Sequence, residues 1–256
     1  MKSLEESVVT AMDGADVELF QHLPYLMQDF WELGSSPENI IELIKKYKPD
    51  FSSLRILDLG CGKGAVSIKI AAALNCNCYG VDAFGEFIEE AKLKAEEFGV
   101  KDLCKFEIGD IRKKACELQG FDVVILGSIG PVLGNYFETL SILKKVIVEN
   151  GIIIIDDGYF EDESKDVHPL VQKKSEVYNQ IKEAGMKILF EGIAVPEEIT
   201  KSNLHFYEKL NQRSEELIHK FPHKKEIFIN YLEKQREENL FLEQKITCAT
   251  FVIGNN

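Results

Sequence analysis

The sequence predicts an α/β fold of the doubly wound kind, and three observations carry that expectation. After Pro49, short apolar runs alternate with amphipathic stretches, the habit of a parallel sheet covered by helices. The first of these runs, 54–59, passes directly into a loop holding Gly60, Gly62 and Gly64 and then into a helical stretch. At 256 residues with 45% hydrophobic side chains, the chain is long enough to bury one principal core with a modest appendage.

The elements follow from periodicity. From Val17 to Trp31, Phe20, Leu23, Met27, Phe30 and Trp31 recur at helical spacing, and Pro24 must start or kink that helix. In the next helix Ser36 serves as N-cap, Pro37 suits the first helical position, Glu38 favours the first turn, and Ile40, Ile41, Leu43, Ile44 and Tyr47 form the apolar stripe. Strands are expected at 54–59, 77–82, 103–109, 121–126 and 151–156. Crossover helices are expected at 64–74, 85–98 and 136–149, because parallel strands require such connections. A helix near 167–184 and a strand near 186–195 follow. Between 200 and 242 the stripe of Leu204, Tyr207, Leu210, Leu217, Ile218 and Phe221 gives way at Pro222 to a second one of Ile227, Phe228, Tyr231 and Leu232. Two helices there precede a last strand, KITCATFVIG. This predicts an N-terminal helical lid over 1–48, a ligand-binding α/β domain over 49–197, a helical cap insertion over 198–243 and the final strand over 244–256.

A formal net charge of -13 disfavours a surface built to neutralise phosphates, so neither nucleic acid nor an anionic membrane is an expected partner. Short basic clusters such as Lys144-Lys145 and His223-Lys224-Lys225 read as solvated helix faces. The six cysteines form no CxxC pair, and Cys76, Cys78, Cys104 and Cys248 lie in or beside apolar segments as small buried hydrophobes. Acidic residues in the first twenty positions exclude a signal-peptide core, and apolar runs stay short of a membrane span, so a cytoplasmic location is expected.

The glycine loop carries the chemistry. Glycine permits φ > 0 and close backbone approach, so the loop can wrap a ligand while the following helix offers unpaired N–H groups. Gly60, Gly62 and Ala65 satisfy the dinucleotide fingerprint, and Asp82 ends the next strand where a ribose-binding carboxylate is expected, so a NAD-dependent oxidoreductase is one reading. Asp58 ahead of Gly60, Gly62 and Gly64 gives another: the acidic residue followed by G-x-G-x-G resembles the first motif of the class I methyltransferases that use S-adenosylmethionine (SAM). Asp82 with Ala83 in YGVDAF, Asp110 with Ile111 in FEIGDIR, FDVVILGSIG ending at Gly127, and NGIIIIDDGYF resemble further segments of that family, in its order.

The resemblance implies a doubly wound, mostly parallel seven-stranded sheet with its last strand antiparallel, and SAM as cofactor. It implies that Asp58 supports the glycine loop, that Asp82 holds the ribose hydroxyls and that Asp110 reads the adenine amino group. Gly60 and the backbone near Gly127 would help to hold the cofactor. The chemistry agrees, because vicinal hydroxyls want a bidentate acceptor and an exposed amine wants a carboxylate or carbonyl. A dinucleotide fingerprint asks neither for Gly64 nor for the Gly109-Asp110 pair.

The segment GSIGPVLGN departs from the acidic and histidine-containing segment seen in many family members, and no N-P-P-Y-like tetrapeptide occurs there. The expected acceptor is a small molecule, with Tyr25, Asp157 and Tyr159 as candidate contacts and no residue assigned as catalytic base. A SAM-binding protein without turnover is the alternative from another class. His219 and His223 have metal-ligand spacing, but Pro222 lies between them and a third ligand is missing nearby, so no metal is expected.

Overall fold

A computed structural model describes residues 2–51 and 53–256. The chain opens with helix α1 (Leu4–Ala11), a 3₁₀ turn over Val17–His22 and the one-turn α2 (Leu23–Leu26). Helix α3 (Pro37–Tyr47) leads into the sheet. There follow β1 (Arg55–Leu59), α4 (Ala65–Leu74), β2 (Asn77–Asp82), α5 (Gly85–Glu97), β3 (Cys104–Ile108), α6 (Ile111–Glu117) and β4 (Phe121–Gly127). The second half holds α7 (Tyr136–Leu143), β5 (Ile147–Tyr159), α8 (Lys174–Glu183), β6 (Met186–Ile193), α9 (Pro196–Lys220), α10 (Lys225–Lys245) and β7 (Thr247–Asn255).

The seven strands form one sheet in the order β3-β2-β1-β4-β5-β7-β6, with β7 antiparallel to both its neighbours, so the predicted fold class holds. Order reverses between β1 and β4. That reversal opens a crevice at the carboxyl ends of the strands, where open α/β sheets bind ligands. One face of the sheet packs on α3, α4 and α5 through Ile40, Ile44, Ile68, Ala71 and Ile88, and the other on α7 and α8 through Leu140, Leu143, Val177 and Ile181. A third apolar cluster joins the N-terminal segment to the two long helices: Val9, Leu19, Leu23 and Leu26 pack with Phe84, Phe87, Leu210, Leu217, Phe228 and Tyr231.

Three expected helices differ from the structure for local reasons. The stretch 17–31 is a 3₁₀ turn plus one helical turn, because Pro24 sits in the first turn of α2 and cannot continue the ladder behind it. The helix expected at 136–149 stops at Leu143, and Ile147 pairs instead with Phe121 in a strand that is longer than predicted and carries a register shift. The helix expected from 167 starts at Lys174, and His168-Pro169 belong to the preceding loop, as the constraint on a residue before proline favours. Helix α1 was not anticipated. Its signal was present: Ser3 accepts from the Glu6 N–H while the Glu6 carboxylate accepts from the Ser3 N–H, a capping box.

Candidate functional site

The glycine loop is fastened to the sheet before it turns. Both Gly60 N–H (2.8 Å) and Cys61 N–H (3.0 Å) donate to the Val81 carbonyl on β2. Gly60 and Gly64 adopt φ of 78° and 75°, a region that costs other residues roughly 1–2 kcal/mol. They need glycine for different further reasons. A Cβ on Gly64 would lie 2.8 Å from Phe106 and 2.9 Å from Ala91 in the core, whereas one on Gly60 would meet Ile129 at 2.6 Å on the open side. Between them, the buried Lys63 donates to the Gln28 carbonyl (3.2 Å) and pairs with Glu90 (3.0 Å), and its own carbonyl accepts from Trp31 Nε1 (3.1 Å). The segment after α2 is thereby clamped to the loop.

Three carboxylates surround the loop in distinct states. Asp58 is buried beneath it, where Oδ2 accepts from Ser67 Oγ (2.7 Å), and burial pushes its carboxyl up to about 6, opposed by Ser67 and assisted by the nearby Asp82 charge. Asp82 ends β2 and accepts from Gly62 N–H at Oδ2 (2.9 Å) and from Phe84 N–H at Oδ1 (3.0 Å). Burial raises its carboxyl too, against the backbone N–H groups that hold the charge. A carboxylate offers about four lone-pair sites, so acceptor capacity remains on Asp82. Asp110 caps α6: Oδ1 accepts from the Arg112 backbone N–H (3.0 Å) and Nε (2.9 Å), and Oδ2 from Arg112 Nη2 (2.8 Å). The guanidinium holds this carboxyl below the usual carboxylate range, and Oδ2 keeps one lone pair.

These groups meet in one cleft of about 770 Å³. Of the residues singled out in the sequence, Gly60, Gly62, Asp82, Ala83, Asp110, Ile111 and Gly127 line it, whereas Asp58 lies below and Gly64 faces the core. Ser128, directly after Gly127, sits at φ 56° with its N–H on the Asp156 carbonyl (3.2 Å), a left-handed serine at the sheet edge that costs about 1 kcal/mol or more. Sequence reasoning expected an N-terminal helical lid but named no residue of α1. Leu4, Ser7, Val8 and Ala11 of α1 and its C-cap Met12 line the cleft, with Leu33, Phe84, Phe87 and Arg112. The capping box and the Val8-Val9 pair could have revealed α1; nothing local marks Arg112.

The candidate acceptor contacts separate. Asp157 borders a second hollow of about 530 Å³ beside the first, with Asp156, Tyr136 and Gln172, and Ile129 lines both. There Asp157 accepts from Tyr136 Oη (3.0 Å) and the Gly158 N–H (2.8 Å), and burial raises its carboxyl. Tyr159 is fully buried and donates to Glu191 (2.5 Å), and Tyr25 is 37% exposed and donates to Glu216 on α9 (2.5 Å), so neither lines either space. The strand alternation that turns Asp157 toward α7 sends Tyr159 deeper into the same face. The His168 ring lies tilted against that of Phe241 (centroids 5.0 Å apart), and among the described residues no group of three or more His, Cys, Asp or Glu side chains could hold a metal ion.

Comparison with known proteins bears on family and fold. A ubiquinone biosynthesis O-methyltransferase of Rickettsia canadensis is 36% identical over 121 residues, 46% of this chain and 48% of that protein. The chain spans about half the length of the curated relatives it matches. Among solved structures, a SAM-dependent methyltransferase from Thiobacillus denitrificans in complex with S-adenosyl-L-homocysteine superposes with a TM-score of 0.74 at 16% identity, covering 92% of this chain and 98% of that one. One from Geobacter sulfurreducens, in complex with the same molecule, gives 0.73 at 17% identity, with coverage of 92% and 98%. These two likenesses concern the fold. Residues 50–236 match the family model described as a methyltransferase domain, and the chain belongs to that family.

Proposed function

We propose that the protein transfers the methyl group of SAM to a small-molecule acceptor and releases S-adenosylhomocysteine (SAH). The observation that carries this reading is the convergence on one cleft of Asp82 and Asp110, two carboxylates whose remaining acceptor capacity suits a ribose diol and an exocyclic amine. The residues fit the cofactor in other respects. Gly60 and Gly62 leave backbone open on the cleft side, Ala83 and Ile111 border the same space, Gly127 bounds it at β4, and Leu4, Val8, Met12 and Phe84 supply apolar cover.

When bound, SAM supplies an already activated methyl group, so the chain has to position the acceptor in line and keep water out. The Gly60–Gly64 loop and Gly127 would hold the methionyl end, Asp58 would support the loop from below, and α1 would exclude water from above. Likeness to an O-methyltransferase over about half the chain makes hydroxyl compounds the first acceptors to try. Asp157, with its carboxyl raised by burial, borders the adjoining hollow where such a hydroxyl could be met.

The same reading divides the chain into a lid over 1–48, the SAM-binding domain over 49–197, a cap over 198–243 and the last strand over 244–256. It places the protein in the cytoplasm, with neither nucleic acid nor membrane as partner. Six free cysteines support that placement.

Incubating the protein with SAM and separate panels of hydroxyl compounds, amines and thiols, and measuring SAH formed, tests the proposal. Turnover with one class names the acceptor atom. SAH binding without turnover on any panel would favour a SAM-binding protein that lacks catalysis.

A further inference from the structure

The roof helix is thinly anchored by packing, since α1 buries one side chain, Val9. Two polar clasps hold its ends. At the C-terminal end, Gln235 Nε2 on α10 donates to the Met12 carbonyl (3.2 Å) and to Asp13 Oδ2 (3.0 Å). At the N-terminal end, Arg112 Nη1 donates to the Lys2 carbonyl (3.1 Å). The same guanidinium grips Asp110 through Nε (2.9 Å) and Nη2 (2.8 Å). One planar group therefore spans from the carboxylate in the cleft wall to the chain entering the roof, and both Asp110 and Arg112 line the cleft.

We propose that Arg112 is a positioning residue that couples the seating of the adenine amino group at Asp110 to the closure of α1 over the cleft. The inference rests on the reading of this cleft as the SAM site. Its logic is geometric. The guanidinium is rigid, and two of its nitrogens fix the plane of Asp110 while a third fixes the backbone ahead of α1. Asp110 Oδ2 keeps one lone pair, so an amine that binds there restrains the carboxylate, hence the guanidinium, hence the Lys2 carbonyl. In the reverse direction, lifting α1 frees Nη1 and loosens the fork that orients Asp110. A helix with a single buried side chain belongs to the low-stability end of a fold, where a ligand can shift the balance between open and closed.

The test combines SAH titration by calorimetry with hydrogen exchange over residues 4–11, on wild type, Arg112→Met, Arg112→Lys and Asp82→Asn. In wild type, SAH slows exchange in α1. In Asp82→Asn affinity falls, but at saturating SAH the protection of α1 returns in full. In Arg112→Met the dissociation constant rises about tenfold, the scale of one lost charge-assisted hydrogen bond, and α1 stays unprotected even at saturation. Arg112→Lys keeps the charge without the fork and leaves α1 unprotected as well; should Arg112→Met fail to fold, this variant carries the test. Full protection of α1 in either saturated Arg112 variant overturns the coupling and leaves the SAM site standing. Wild type that does not bind SAH overturns the site and the coupling together.

Discussion

The floor and the roof of the cleft are built by opposite strategies. The floor comes from residues near one another in sequence: β1 runs into Gly60–Gly64, Asp82 closes the next strand, and Asp110 caps the helix after the one beyond. Each is fixed by backbone hydrogen bonds of the sheet edge and by core packing such as Gly64 against Phe106 and Ala91. The roof comes from distant partners. Arg112 reaches Lys2, Gln235 reaches Met12, and Tyr25 reaches Glu216. The two regions should therefore tolerate change unequally: floor substitutions should damage fold or cofactor affinity heavily, and roof substitutions should be milder and separable.

The largest effect is expected in the floor. Gly64→Val forces a β-branched residue into φ 75° and puts its Cβ under 3 Å from two core side chains, a loss of about 3 kcal/mol or more that denaturant titration would register as a collapse of the midpoint. Next comes Asp82→Ala, which removes charge-assisted contacts worth about 1.5–3 kcal/mol each and should weaken SAH binding at least about 100-fold by calorimetry. If Asp82→Ala bound SAH as wild type does, the floor would not be the cofactor's anchor.

Asp58 supplies a prediction with a sign. A buried carboxyl raised from 3.8 to about 6 favours the folded state when protonated, so its contribution is fully present below pH 3.8 and is lost as pH rises through about 6. The cost at pH 7 is about 3 kcal/mol. Asp58→Asn should therefore stabilise by about 1–2 kcal/mol at pH 7, with the gain vanishing near pH 4 in thermal melts. A variant less stable than wild type at pH 7 would mean that the charge serves the loop.

Roof substitutions should be smaller. Among the described residues the buried Tyr231 hydroxyl on α10 has no hydrogen-bond partner, so Tyr231→Phe should stabilise by about 1 kcal/mol and leave SAH affinity unchanged. Tyr25→Phe removes one exposed contact with Glu216, and less than about 0.5 kcal/mol should be lost, again without effect on the cofactor. A large loss of affinity from either would sink the distinction between floor and roof.

The same contrast explains what the sequence revealed. Gly60, Asp82 and Asp110 were legible because strand-to-loop-to-helix turns use local chemistry: positive φ, a carboxylate at a strand end, an N-cap. The seven-stranded, mostly parallel sheet with its last strand antiparallel followed from those units together with the family resemblance. Helix α7 was read too long because Val146 and Ile147 continue its apolar spacing, yet Ile147 finds its partner in Phe121 across the sheet. Arg112 was invisible because its meaning depends on Lys2 lying across the cleft, a contact between residues 110 positions apart. Tyr159 was plausible from its place at the carboxyl end of β5, but strand alternation directs it to Glu191 and the core.

We propose that SAM occupies the cleft between Asp82 and Asp110. Calorimetric titration of wild type and Asp82→Ala with SAH and with NAD tests it most directly. Micromolar SAH binding that falls at least about 100-fold in Asp82→Ala, with no heat from NAD, is the predicted result. NAD binding in the absence of SAH binding, or SAH affinity indifferent to Asp82, would contradict it.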